Sequence, residues 1–510
     1  MTERLIGIDA GGSVTKAALF DLDGREHGCA HRPNTTLYPA PGQTERDPDA
    51  MWQAACGAVR DLLDATGTDP DAVAGLSVTG YGSGLWLVDA DGRAVRPGIG
   101  STDSRAAGLL QGWQASGLAD RAGDAVQQRF WAGQTVVLLA WLAEHEPETV
   151  ARTASVLLCK DYLRLRFCGD CSTDGTDAGI SGLWDVRGGT WATELMEALG
   201  LGVWLDKLPE VRDSAEVAGP LSGEAARLTG LNAGTPVIRG LVDVAASCLA
   251  SGVDRADRMS VVAGTFSINQ TLHTTPRLSY PPFLQCVYPL QGYYLATEGG
   301  ATSASNLEWV CRTLLDGEAE QARLRGESIY DVCNRCVVDE DGAPGNDILF
   351  FPFLFGTASG APAGLLGLSA AHGFCDVVRA IFEGIVFAHR ADIDRLLAGH
   401  DAAEPAVVRL AGGASRSDPW VQMFADVLEK PVEITHGSEF GALGASIISS
   451  VALGLHADVP SAVTAMVKPA RRREPRPEAA PYYRAKYARY RAIAAGLSDA
   501  WAAAGENGAG

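Results

Sequence analysis

The sequence predicts an α/β fold in which one type of unit occurs twice. Three observations predict it. Short apolar runs ending in glycine alternate with helical patterns throughout the chain. An apolar hairpin with a glycine turn opens the chain, and a second of the same kind opens its latter half. The length of 510 residues suits two large domains or three ordinary ones. Apolar residues make up 46% and charged residues 20%, enough for a packed core and against wholesale disorder.

The elements follow in order. LIGIDAGG (5–12) reads as a strand ending in an acid and two glycines. KAALFDLDGRE (16–26) is a second strand running into an Asp-Gly turn, so the two form a hairpin. In 47–67, Met51, Ala55, Val59 and Leu62 recur at helical spacing and Asp47 can cap the start. AVAGLSVTGYG (72–82) is a further apolar strand. The pattern restarts with PVIRGLVDVAASCLASGV (236–253), where an apolar run ends in Asp243 and a small-residue helix follows. SVVAGTFSINQTL (260–272) resembles the opening hairpin, and 406–434 reads strand, glycine turn, helix, strand. No residue-level repeat is visible, only a repeated type of unit. A boundary near 245–258 gives domains at 1–250 and 251–510, with ligand expected in a cleft between them. KPARRREPRPEAAP (468–481) reads as a solvated connector into a last helix docked by Tyr483, Tyr487 and Tyr490.

The net charge of −20 argues against nonspecific binding to nucleic acid or an anionic membrane. It leaves room for a phosphorylated ligand held by backbone N–H groups. The N-terminus has no signal-peptide pattern, and the most apolar segment, 441–457, is too short to span a bilayer. A cytoplasmic protein is expected, and its eleven cysteines are then expected to be thiols. Cys168/Cys171 and Cys333/Cys336 form two CxxC pairs too far apart, and too poor in nearby His, to suggest zinc.

Chemistry concentrates at four places. In Asp9-Ala10-Gly11-Gly12-Ser13-Val14-Thr15-Lys16, the glycines let backbone approach a phosphate. Ser13 and Thr15 offer hydroxyls, Lys16 a positive charge, and Asp9 an oxygen ligand for Mg²⁺. The string is not a Walker A loop, and taken alone it reads better as an ordinary hairpin turn. Gly264-Thr265 forms a comparable turn in the second half. Gly412-Gly413-Ala414 lies between strand and helix and leaves a flat slot for a nucleobase, or is a plain loop. Asp243 ends an apolar strand, where poor solvation suits a general base, although an N-cap has the same local sequence.

Together these pieces resemble the FGGY carbohydrate kinases, the sugar-kinase branch of the actin and hexokinase-like (ribonuclease H-like) ATPases. The most specific element is Ala363-Gly364-Leu365-Leu366-Gly367-Leu368 followed by Asp376 to Glu383, similar to the family's C-terminal signature. Trp141-Leu142 with Glu144-His145-Glu146-Pro147 resembles part of the N-terminal signature, with Leu139 in place of the usual Lys. The resemblance implies ATP and Mg²⁺, with Asp9 to Lys16 and Gly264-Thr265 on phosphate and Gly412-Gly413-Ala414 on adenosine. It implies Asp243 as catalytic base, and Asp103 and Arg105, with Ser83, on the sugar. Residues 1–250 would carry sugar and phosphate, and 251–510 the nucleotide. Where many members have a glycine near a Trp, this chain has Ala304-Ser305-Asn306 before Trp309, so no nucleotide contact is assigned there. A homodimer is implied only at family level.

Tyr81-Gly82-Ser83 replaces the Gln-Met-His typical of D-xylulose kinases and looks closer to the L-xylulose kinase branch, so L-xylulose or a similar pentulose is expected, with an erythritol-type polyol kinase or a D-xylulose kinase as alternatives. An actin-like ATPase that binds proteins lacks support, since the C-terminal signature is present and a peptide-binding appendage is not. Retention of Asp9 and Asp243 speaks against a sugar-sensing pseudo-kinase.

Overall fold

In a computed structural model, which describes residues 3–276, 281–338, 346–356, 361–398 and 404–506, the opening hairpin pairs Arg4–Ala10 with Val14–Phe20, Asp9 lying opposite Lys16. The chain divides into two units. The first comprises Met1–Asp254, Leu272–Ala296 and His436–Lys468, and the second Arg255–Thr271, Thr297–Thr435 and Pro469–Gly510.

In the first unit Arg4–Ala10 pairs in parallel with Val73–Gly80, which pairs in parallel with Pro236–Ile238, and that strand is closed antiparallel by Val217–Pro220. Glu26–Pro33 completes the other edge beside Val14–Phe20. Alternation along the first strand decides what each side chain meets. Ile6, Ile8 and Ala10 join Met51, Trp52, Ala55 and Val59 of the helix Pro48–Thr66 in one buried core. That helix begins where Asp47 accepts the Ala50 N–H and ends at the left-handed Gly67. Gly7 and Asp9 point the other way, toward the helix Phe440–Ala452. A Cβ on Gly7 would collide with the Ala442 carbonyl, and one on Gly444 with the Ala246 carbonyl of the helix Asp243–Ala250. The small residues of 441–457 therefore serve close packing of buried helices, and no described helix is long and apolar enough to cross a membrane.

The second unit repeats the ladder. Arg258–Ala263 and Ser267–His273 form a hairpin. Arg258–Ala263 runs parallel to Val407–Ala411, which runs parallel to Val432–Thr435, and Pro469–Arg473 closes the edge antiparallel. The repeat is thus one of topology: hairpin, two parallel neighbours, antiparallel closing strand. Helices Phe374–Leu397 and Asp418–Leu428 share a core with Tyr483, Tyr487 and Tyr490 of the last helix, as the tyrosine stripe predicts.

Two expectations are corrected. The supposed connector supplies a strand at Pro469–Arg473. Its arginines stay at the surface, Arg472 pairing with Glu433 at 2.6 Å and Arg473 with Asp418 at 2.9 Å, so charge did not prevent sheet pairing at an edge. The cysteines are not all thiols, because Cys336 is joined to Cys375. Their Cα atoms lie 4.7 Å apart, at the end of one helix and the start of another. The other nine are free, with Cys311 and Cys333 sulfurs 3.9 Å apart.

Candidate active site

The first glycine turn is shaped by residues far from it in sequence. Asn34 Nδ2 donates to the Gly11 carbonyl at 2.7 Å, and Arg46 donates to the Gly12 carbonyl through Nε at 3.0 Å and Nη2 at 2.7 Å. A trans peptide holds its N–H opposite its C=O. Turning those two carbonyls toward Asn34 and Arg46 therefore directs the N–H groups of Gly12 and Ser13 away from them, as a phosphate cradle requires. Thr15 is buried and its hydroxyl donates to Asn34 Oδ1 at 3.1 Å, so it braces the turn rather than presenting an open hydroxyl. Ser13 is exposed. Lys16 reaches across to Glu439, 2.9 Å from Nζ to Oε2.

Asp9, at the strand end, packs against Gly441, where a Cβ would press on its carboxylate. Burial lifts its pKa to about 6; the Lys16 charge opposes the shift and the Glu439 charge adds to it. Asp243 is the first residue of its helix, with Val242 at the cap position. Its carboxylate accepts the Val244 N–H at 2.7 Å. Burial first, and the Asp9 charge second, raise its pKa to about 7, against the lowering effect of the Val244 N–H. The structure thus brings Asp9 and Asp243 into one electrostatic neighbourhood in the first unit. The loop before Asp243 is fixed by two hydroxyls: Thr79 donates to the Leu241 carbonyl at 2.7 Å and Thr176 Oγ1 accepts the Val242 N–H at 2.9 Å.

The three residues expected on the sugar side are held differently. Asp103 accepts the Thr44 N–H at 2.6 Å, the Arg105 N–H at 2.8 Å and Arg105 Nε at 2.9 Å. Arg105 also donates to Glu45 at 2.8 Å. Their side chains are 0% and 2% exposed, so in the free protein the pair is satisfied internally. Ser83 has φ of 60°, an uncommon left-handed value for a residue with a side chain. Its hydroxyl donates to the Ile180 carbonyl at 3.0 Å, which Gln134 also reaches at 3.1 Å.

In the second unit the turn Gly264-Thr265-Phe266-Ser267 is tied down at both ends. Ser305 donates to the Thr265 carbonyl at 2.7 Å, and Ser267 to Asp392 at 2.9 Å. Asn269 links Asp392 to His389, whose Nδ1 lies 2.8 Å from its Oδ1. Gly412, at φ of 87°, backs directly onto Ala263 and Gly264, where any Cβ would clash. Gly413 and buried Ala414 continue this contact into a short 3₁₀ turn. Beside the turn lies a cavity of about 370 Å³ lined by Thr265, Phe266, Ser305, Glu308, Trp309 and Phe355 among others. Sequence reasoning set Ala304 to Trp309 aside, yet Ser305 and Trp309 border the same space as Thr265. Asn34, Arg46 and Glu439 were also missed, since no local signal marks a partner tens or hundreds of residues away.

Paired hairpin units with glycine turns, one of them carrying two half-buried carboxylates, agree with the architecture expected of the actin and hexokinase-like class. The model of the FGGY family of carbohydrate kinases, N-terminal domain, matches residues 4–250, and that of its C-terminal domain matches residues 259–453. The chain belongs to the FGGY family and is an ATP-dependent carbohydrate kinase. It is 32% identical over 500 residues to the L-xylulose/3-keto-L-gulonate kinase of Escherichia coli (strain K12), covering 98% of both chains. It is 29% identical to the erythritol kinase of Brucella abortus (strain 2308), over 98% of this chain and 97% of that one. The solved xylulose kinase from Rhodospirillum rubrum superposes with a TM-score of 0.86 at 25% identity, over 98% of this chain and 100% of that one.

Proposed function

We propose that the enzyme transfers the γ-phosphoryl group of ATP to a primary hydroxyl of L-xylulose or a similar pentulose, with Asp243 as general base. The observation that carries this reading is the carboxylate of Asp243, raised to about 7 by burial and by Asp9. A base with a pKa near the working pH accepts a proton as the hydroxyl attacks and releases it readily afterwards. Lys16 and the N–H groups of Gly12 and Ser13 take the phosphates on the first unit, while Gly11, whose N–H donates to the Val14 carbonyl at 3.0 Å, and Thr15 shape the turn behind them. Gly264-Thr265 take phosphate on the second unit, and Gly412, Gly413 and Ala414 form the adenosine slot next to them. The cavity bordered by Thr265, Ser305 and Trp309 supports that division, with residues 1–250 serving sugar and phosphate and 251–510 nucleotide.

Asp9 fits a Mg²⁺ ligand. Among the described residues no three His, Cys, Asp or Glu side chains cluster to enclose a metal. One carboxylate, with water and phosphate oxygens completing the shell, is how this cation is usually held. When bound it neutralises phosphate charge that develops in transfer. Asp103 and Arg105 serve the sugar side as a pair, their mutual bonds fixing the Ser101–Arg105 turn, with Ser83 beside Ile180. A cytoplasmic site of action follows from the need for ATP.

The substrate is tested by kcat/KM for L-xylulose, erythritol, D-xylulose and glycerol. The expected order places L-xylulose first, by about 10-fold or more over the last two, since a site built for one hydroxyl pattern leaves its own groups unpaired with another. The likeness to erythritol kinase at 29% identity makes erythritol the second reading. A clear preference for D-xylulose or glycerol would overturn the substrate and leave the kinase reading standing.

A further inference from the structure

Glu439, the ion-pair partner of Lys16, has no place in the phosphoryl-transfer scheme above. Glu439 immediately precedes the helix Phe440–Ala452 and makes no capping hydrogen bond with its own carboxylate. Its Oε2 is buried and, among the described residues, is engaged by Lys16 Nζ at 2.9 Å, while Oε1 has a long 3.4 Å approach from the Ser438 hydroxyl. Its side chain is 15% exposed, against 39% for Lys16. Asp9 lies directly opposite Lys16 in the hairpin, and the Glu439 charge also reaches Asp9, Glu26 and Cys29. One lysine thus stands among several acids, and in the free enzyme its charge is already spoken for.

We propose that Glu439 is an internal counter-anion that competes with the terminal phosphate of the nucleotide for Lys16, and so sets nucleotide affinity low enough for product to leave. The proposal rests on the reading that Lys16 meets phosphate. An incoming phosphate has to draw Lys16 from Glu439, and an anionic carboxylate held nearby also repels it. After transfer, re-formation of the Lys16–Glu439 pair offsets the loss of contact with departing ADP. Removing the carboxylate should therefore strengthen binding, the opposite of what a metal ligand or a structural brace would do. Because a partly exposed ion pair is modest in strength, the gain should be about 3- to 10-fold in Kd, expressed mostly in slower dissociation.

The test is ADP binding by titration calorimetry, with excess Mg²⁺ and again with EDTA. The proteins are the wild type, Glu439→Gln, Lys16→Ala and the double variant, each with its Tm measured. Glu439→Gln removes no capping bond and should fold. The expected result is tighter ADP binding by Glu439→Gln in both conditions, with most of that gain absent on the Lys16→Ala background. Unchanged or weaker binding by Glu439→Gln would overturn the proposal, and weakening confined to Mg²⁺ would make Glu439 a metal ligand instead. A gain that persists in full without Lys16 would overturn it too. If Lys16→Ala binds ADP as the wild type does, the phosphate role of Lys16 itself fails; a failure of Glu439 alone leaves Lys16→Ala weakened.

Discussion

Asp243→Asn is expected to lower kcat by about 10²- to 10⁴-fold while ATP and sugar still bind. The amide has nearly the shape of the carboxylate and keeps the acceptor for the Val244 N–H, so what is removed is the capacity to take a proton. In the wild type, kcat/KM should fall as pH drops through about 7, where the carboxylate becomes protonated. A separate readout follows from linkage. The folded-state pKa of about 7 lies above the ordinary 3.8, so the folded protein binds a proton that the unfolded chain releases. The stability contributed by that proton is full below 3.8 and is lost as pH rises through 7. Asp243→Asn should therefore raise Tm at pH 8 by several degrees and change it little at pH 4. Turnover near the wild-type rate would remove Asp243 from the chemistry.

Asp9→Ala is expected to cost about 10²-fold or more in kcat at ordinary Mg²⁺ and to raise the Mg²⁺ concentration needed for half-maximal rate. The substitution also takes away a negative charge that lifts the Asp243 pKa. The acid limb of whatever activity remains should then move to lower pH. A Mg²⁺ titration together with a pH profile separates the two effects. Unchanged Mg²⁺ dependence would count against a metal role for Asp9.

Much of this was legible because it is local. The hairpin Arg4–Phe20, the capped helix after Asp47 and the hairpin around Gly264-Thr265 each carry their own period and turn residues, and each formed as read. Asp243 stood out because an acid at the end of an apolar strand is unusual. What could not be read is what distant residues do to those motifs. Nothing near Gly12 announces Arg46, and nothing near Lys16 announces Glu439, 423 positions on. The run Pro469–Arg473 looked like a connector because composition reports charge, whereas an edge strand needs only one free backbone ladder beside it. The expectation that Thr15 would offer its hydroxyl failed for a related reason: its partner Asn34 lies on the loop beyond the third strand.

The central claim is that ATP turnover here is phosphoryl transfer to a sugar hydroxyl governed by Asp243. The most direct measurement follows ADP release by wild type and Asp243→Asn with L-xylulose at pH 8, and assays the product by phosphorus NMR. The account predicts one sugar phosphate monoester, at a primary hydroxyl, for each ADP released by the wild type, and almost none from the variant. ADP accompanied by inorganic phosphate, or equal product from both proteins, would contradict it.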